Sequence, residues 1–408
     1  MAEWIDTTLG QVVELKRGYD LAQQSRRQGL VPIVSSSGVS DYHDKAMVKG
    51  PGVVTGRYGT LGKVYFIRSH FWPLNTTLYV RNFKGNDPRF VSYFLQSIDF
   101  LSYSDKAAVP GVNRNHLHEA QVRFPRDPAE QHAIAHVLGA LDDKIELKRR
   151  TNETLEAMAR AIFKDWFVDF GPTRDKQEGV TGSLPSQILA LFPDDLVEAY
   201  GMETPRGWER TSISTAFEIN PRRSLSKGQL APYLDMANMP TTGPSPREII
   251  DRAVGSGMRF INGDTLVARI TPCLENGKTA FVDFLKDGEV GWGSTEYIVM
   301  RAKPPLPPEY AYLVARGPEF RDYAIQQMTG SSGRQRVSAD SLCNFAVVVP
   351  SAEVAIEFGK LVKPIFARIR SAAGENRSLT ALRDALLPKL ISGEIRVKEA
   401  ERIVEAAQ

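Results

Sequence analysis

Cysteine is almost absent: Cys273 and Cys343 are the only two in 408 residues. Two are too few for a disulfide framework or a thiolate zinc site, and they fit a reducing cytoplasm. No apolar run approaches the ~18 residues of a membrane-spanning helix. The N-terminus, MAEWIDTTLG, lacks the basic start and apolar core of a signal peptide. The expectation is a cytoplasmic chain with no membrane association. Catalytic signatures are missing too. Gly277-Lys278-Thr279 ends like a phosphate-binding loop, but Pro272 stands where that loop needs its first glycine. Gly62-Lys63 fails the same test, with Arg57 and Val64 at the deciding places. No Gly-x-Gly-x-x-Gly follows a strand candidate, so a dinucleotide or methyl-donor fold has no support. Asn220-Pro221-Arg222 lacks the aromatic of an amino-methyltransferase motif, and Asp169-Phe170-Gly171 has no accompanying kinase lysine strand or catalytic loop.

What the chain does have is a repeat. Ile134, Leu138, Leu141, Ile145, Lys148, Asn152, Leu155, Ala159, Ile162 and Trp166 follow one another in alternating steps of four and three. Adding 224 to each number gives Phe358, Val362, Ile365, Ile369, Ala372, Asn376, Leu379, Arg383, Leu386 and Leu390. Each set is a coiled-coil seam. Both seams carry an asparagine at the same step, the type of polar residue that fixes register and partner at some expense of stability. At ~1.5 Å per residue each helix would run roughly 55–60 Å, a length suited to a spacer.

The repeat extends into the flanking blocks. Trp4 ahead of Val13-Glu14-Leu15 matches Trp208 ahead of Phe217-Glu218-Ile219, and Trp72 through Val80 parallels Trp292 through Met300. Strand candidates ending at Arg57 and Arg269 lead into Gly- or Pro-containing loops. Short helices are expected around Pro88–Phe100 and Pro308–Tyr323. Both blocks close on a strand ending in proline, Pro125 and Pro350, just before the long helix. The repeat is far too long for a solenoid, so this is a duplicated two-part protein with mixed α/β (α+β) heads. The expected organisation is a first head over 1–127, a long helix over 128–170, a connector over 171–206, a second head over 207–350, a second long helix over 351–392 and a tail over 393–408. The connector has the breakers Gly171, Pro172, Gly179, Gly182 and Pro185, but the apolar piece Ile188–Phe192 makes it a docked segment.

Residues 1–125 hold 15 basic against 10 acidic residues, and 206–350 hold 17 against 15. The first long helix and the connector are acidic. Net basic heads are compatible with nucleic acid. In the first head Ser36, Arg57, Tyr58, Thr60, Lys63, Asn75, Asn113, Arg114 and Asn115 are the candidate contacts. In the second, the corresponding places hold Arg269, Thr271, Asn276, Lys278, Ser294, Arg334, Gln335 and Arg336. Arginine and asparagine can bind guanine and adenine edges, while Ser, Thr and Lys serve phosphates. The frame is shared and the side chains differ, which suggests two readers of different sequences. Histidines 116, 118, 132 and 136 lie close together, but the repeat places Ile356 and Lys360 opposite His132 and His136, so no metal is expected.

With these features in place the chain resembles the specificity subunit of type I restriction-modification enzymes over essentially its whole length. The most specific stretches are Asp127 through Ile134 leading into Leu141-Asp142-Asp143-Lys144-Ile145, and Phe163-Lys164-Asp165-Trp166-Phe167-Val168-Asp169-Phe170. The second helix departs from the pattern, with Glu353-Val354-Ala355 in place of a Glu-Gln start. The resemblance implies a non-catalytic DNA-binding chain with two target recognition domains, separated by two long antiparallel coiled-coil helices related by a pseudo-twofold repeat. It implies double-stranded DNA, two methyltransferase subunits and restriction (translocase) subunits as partners. S-adenosylmethionine, magnesium and ATP would belong to those partners, and no cofactor to this chain. A coiled-coil adaptor with protein-binding heads, and a catalytic methyltransferase or nuclease, are the competing readings.

Overall fold

A computed structural model describes residues 3–105, 111–180, 184–199 and 201–406. Gly182 of the connector lies outside them. The chain divides into two units, residues 1–146 with 378–408, and residues 147–377. The division falls inside both long helices, Pro128–Phe167 and Ala352–Ser392, so each unit owns one end of each.

In the first unit the head is built on an antiparallel four-stranded sheet in the order Glu14–Arg17, Thr77–Asn82, Gly52–Gly56, Val64–Ile67. The central strand Gly52–Gly56 is buried along its whole length, as its Val-Val-Thr run requires. A three-stranded sheet of Gly38–His43, Val31–Ser35 and Trp72–Pro73 adds one parallel pairing. Trp4–Thr8 pairs with Gln121–Pro125, bringing the two ends of the head together. The helix Pro88–Gln96 starts on a proline and is capped by Asp87, whose side chain accepts a 2.8 Å bond from Phe90 N. It buries Phe90 and Phe94 against Phe124, the latter pair edge-to-face at 4.8 Å.

The second unit repeats this plan. Its four-stranded sheet runs Phe217–Ile219, Tyr297–Ala302, Thr265–Ala268, Thr279–Phe281, the same order with the same antiparallel pairings. Glu209–Ser212 closes on Ala346–Val349. The smaller sheet again contains one parallel pair, Leu230–Leu234 with Gly291–Gly293, and gains the strand Met258–Phe260. The first head keeps only an isolated Val48–Phe71 bridge at the place of that strand. Much of the second head's extra length is the loop over 235–249, since the matching strands in the first head are joined by a two-residue turn. That loop covers the edge strand: Thr279 N donates to Pro240 O and Phe281 N to Pro244 O. The helix expected near Pro308–Tyr323 is two helices, Pro308–Ala315 and Pro318–Gln326, parted at Gly317-Pro318.

The two long helices run antiparallel within each unit. In the first unit Ile134, Leu138 and Leu141 share a core with Leu379, Leu386 and Leu390, and Arg383 Nη1 donates to Asp142 Oδ1 at 2.7 Å. In the second unit Ile162 and Trp166 share a core with Phe358, Val362 and Ile365. Ile145, Asn152 and Leu155 are half-buried on the same seam, and Ile369 is buried. Asn152 Nδ2 donates to Ile369 O at 3.3 Å.

Each head is bolted to a helix by polar groups, part-buried in the first unit and buried in the second. Arg89 of the first head donates to Asp143 at 2.7 and 3.0 Å and to Gly139 O at 2.9 Å. A Cβ on residue 139 would lie 2.5 Å from the Arg89 guanidinium, so a larger residue there would displace that side chain from its bonds. Arg89 holds the Asp143 carboxyl below the usual carboxylate range. The Tyr93 hydroxyl donates to Asp142 at 2.5 Å. In the second unit the buried Glu156 takes this part, accepting from Tyr312, Arg316 and Gly243 N.

The connector is docked, as its apolar content implies. Phe170 and Phe192 join Trp166, Phe167 and Trp208 in one aromatic cluster, with Trp166 and Phe192 edge-to-face at 4.9 Å. Residues 393–406 are more than a tail. They contain the helix Val397–Ala406, which buries Ala400 fully and packs Val397 and Val404 on the first head's core. Gly393, at φ +74°, lets the chain turn over the Trp4 indole, which a Cβ would meet at 2.9 Å.

Candidate nucleic-acid interface

The loop after each central strand is anchored by the same backbone bonds. In the first head Arg57 N donates to Thr76 O at 2.9 Å, and Val112 N to Arg57 O at 2.9 Å. In the second, Arg269 N donates to Glu296 O at 3.0 Å, and Val337 N to Arg269 O at 2.9 Å. The bridge Tyr58–Gly111 likewise matches Ile270–Arg336. One frame is therefore built twice, from residues distant in sequence.

The side chains on that frame differ. In the first head Arg57, Tyr58, Asn113 and Arg114 meet in a cleft of about 380 Å3, together with Arg17. Among the described residues no acidic side chain lines it. The Arg57 guanidinium stacks 4.7 Å over the Tyr58 ring, which is 41% exposed. A Cβ at residue 111 would sit 2.3 Å from Tyr58 Cε1, so Gly111 leaves room for that ring. Asn113 caps the short helix Arg114–His118 by accepting from Asn115 N at 3.0 Å. Its carbonyl oxygen is thus partly engaged, while Arg114 and Asn115 are exposed. Thr60 and Lys63 sit in the glycine-rich turn between two strands, and Ser36 lies against Gly59, its Oγ 3.3 Å from where a Cβ would be. Asn75 donates to Asp20, which also accepts from Arg17 at 3.1 Å. This turns Asn75 toward a neighbouring side chain.

In the second head Arg269 and Arg336 converge on Glu296. Arg336 Nε donates to its two oxygens at 2.9 and 3.0 Å, and Arg269 Nε lies 3.7 Å away. Ser294 Oγ accepts from Glu296 N at 3.1 Å, so it shapes the same turn. Thr271 N donates to Gln335 O at 3.0 Å. Lys278 Nζ donates to Met236 O, drawing that cation toward backbone. Arg334 and Asn276 are exposed, and Gln335 is half-buried. The structure thus brings Arg57, Tyr58, Asn113 and Arg114 together in the first head, and Arg269, Thr271, Gln335 and Arg336 in the second, and leaves Asn75, Lys278 and Ser294 in structural bonds. Arg17 and Glu296 were not among the expected residues. Arg17 ends the strand beside the cleft, and Glu296 stands opposite Thr76 within the paralleled Trp292–Met300 stretch, a mismatch visible in the sequence.

No group of three or more His, Cys, Asp or Glu suited to a metal occurs among the described residues. His132 instead approaches Asp87, and His118 Nε2 accepts from Leu15 N at 2.9 Å. Among the described residues no helix is long and apolar enough to cross a membrane.

A duplicated head on paired helices, with charged loops on a common frame, places the chain in a class of duplicated, two-headed proteins. Residues 1–157 match the family model of the type I restriction modification DNA specificity domain. Among curated proteins, the chain is 24% identical over 367 residues to the type I restriction enzyme HindI specificity subunit of Haemophilus influenzae, covering 76% of this chain and 77% of that protein. It is 23% identical over 382 residues to the MjaIX specificity subunit of Methanocaldococcus jannaschii, covering 90% and 82%. The EcoAI specificity subunit of Escherichia coli is 35% identical over a shorter 152 residues, 36% of this chain and 26% of that one. The fold matches the crystal structure of a type I restriction-modification S subunit from M. genitalium, with a TM-score of 0.58, 16% identity, and 95% and 96% of the two chains covered. The chain is thus similar, over most of its length, to specificity subunits of type I restriction enzymes.

Proposed function

We propose that the chain is the DNA sequence-specificity subunit of a type I restriction-modification complex and performs no catalysis itself. Each head binds one part of a split, asymmetric duplex site, and the paired helices set the number of unread base pairs between the parts. The observation that carries this is the duplicated loop frame bearing different side chains: an Arg57–Tyr58 stack in one head, an Arg269–Glu296–Arg336 group in the other. A protein that bound a symmetric site would need no such difference. In the first head Ser36, Arg57, Tyr58, Thr60, Lys63, Arg114 and Asn115 are the contacts to DNA, with Arg17 added. Arg17, Lys63 and Arg114 serve phosphates, since lysine and arginine neutralise the backbone without reading sequence. In the second head Thr271, Asn276, Arg334 and Gln335 are the contacts, with Arg334 serving a phosphate.

Two methyltransferase subunits dock on the helical region and supply S-adenosylmethionine chemistry. Restriction subunits add the magnesium- and ATP-dependent steps, and the complex works in the cytoplasm where its DNA lies. Footprinting with the purified methyltransferase complex tests this. Protection of two short blocks separated by unprotected base edges supports it, and protection of no bipartite sequence contradicts it.

A further inference from the structure

The second head holds a carboxylate where the first has none. Glu296 occupies the position of Thr76, and Arg336 that of Gly111. Arg336 Nη2 reaches Glu296 Oε1 at 2.9 Å, while its Nε reaches both oxygens. With Arg269 at 3.7 Å, two guanidiniums flank one carboxylate. The three side chains are 24, 31 and 40% exposed for Glu296, Arg269 and Arg336, so the group lies at the surface.

The loop does not need this group to hold its shape. Thr329 and Arg336 exchange backbone bonds at 3.0 and 2.9 Å, Thr271 N donates to Gln335 O, and Val337 N donates to Arg269 O. The first head keeps the equivalent Val112–Arg57 bond with a threonine in place of the glutamate. A bare carboxylate on a face that meets phosphates would be repelled. Two arginines offset that charge and fix the carboxylate's direction.

Resting on the DNA-binding function above, we propose that Glu296 is a specificity-determining residue of the second head. It accepts a hydrogen bond from the exocyclic amino group of one base in the major groove, cytosine N4 or adenine N6. Arg336 and Arg269 are its positioning residues. An ionised carboxylate only accepts, and Oε2, which takes a single 3.0 Å bond from Arg336 Nε, keeps a lone pair for the base. Guanine shows that groove two acceptors, and thymine an acceptor and a methyl, so Glu296 rejects both.

The test maps methylated sites in a host that expresses the full chain with its methyltransferase subunits, as parent, Glu296→Gln, Glu296→Ala and Arg336→Lys. In the parent, one part of the site contains a position restricted to cytosine or adenine. Glu296→Ala relaxes that single position by roughly tenfold or more, and the other part is unchanged. Glu296→Gln keeps the shape but adds a donor, so it admits guanine or thymine there even if the alanine variant fails to fold. Arg336→Lys relaxes the same position partially. An unaltered site in Glu296→Gln overturns the proposal, as does an even loss of methylation at all positions. Absence of any bipartite site in the parent would instead overturn the DNA-binding function itself.

Discussion

The Tyr312 hydroxyl donates a 2.6 Å hydrogen bond to Glu156, a buried carboxylate on the first long helix. Arg316 Nε donates to the same oxygen at 3.2 Å, and Gly243 N donates to the other at 3.0 Å. One side chain thereby joins the helix, a helix of the second head and the loop covering that head's edge strand. Burial, with Glu156 beside it, pushes the Tyr312 hydroxyl far above its usual range, so it stays a donor. Glu156→Ala should destabilise the protein by about 2–4 kcal/mol in urea unfolding, because it strands buried donors. Glu156→Gln, which can still accept from Tyr312, should lose less. A loss below about 1 kcal/mol for the alanine variant would show that this joint does not hold the head.

Asn152 is the polar step of the seam, and its Oδ1 is buried without a hydrogen-bond partner. Asn152→Leu should raise the unfolding midpoint while weakening the preference for one helix pairing. Light scattering should then show more self-association than in the parent. A lower midpoint would mean that the Asn152–Ile369 bond stabilises more than it specifies.

Asp283 is half-buried beside Arg370, and burial raises its pKa to about 7. A carboxyl whose folded pKa is raised binds its proton more tightly when folded, so its contribution to stability declines as pH rises from about 4 to about 7. Asp283→Asn should therefore raise stability at pH 8 by on the order of 1–3 kcal/mol and make little difference near pH 4. Melting curves at the two pH values decide it, and an equal effect at both would contradict the burial argument.

The Arg57–Tyr58 stack and Lys63 should fail in different ways. Arg57→Ala should relax base preference in one part of the site at a loss of about 1–3 kcal/mol. Lys63→Ala should weaken binding evenly across sequences and reduce the salt slope by about one. Salt-dependent titrations on matched and mismatched duplexes separate the two. Equal loss on every sequence for Arg57→Ala would reassign it to the phosphates.

The duplication and the paired helices were legible because a seam in steps of four and three repeats over many turns, and because Asn152 and Asn376 mark the same step. The sequence marks the helix Val397–Ala406 only as a tail, although Val397, Ala400 and Val404 share one face; ten residues give that pattern little weight against noise. The joints were invisible for a different reason. Glu156 bonds to Tyr312 across 156 positions of sequence, and Arg336 to Glu296 across 40. No local spacing encodes such pairs. Asn113 shows a third limit: within a polar run, a helix cap and a base contact have the same composition.

The most direct test is methylome sequencing of a host expressing the complex, with the parent chain and with residues 1–125 replaced by the head of a different specificity subunit. The expected result is a split asymmetric site in the parent, and a change in one part alone on exchange, with the gap length and the other part preserved. A change in both parts, or a single continuous site in the parent, would contradict it.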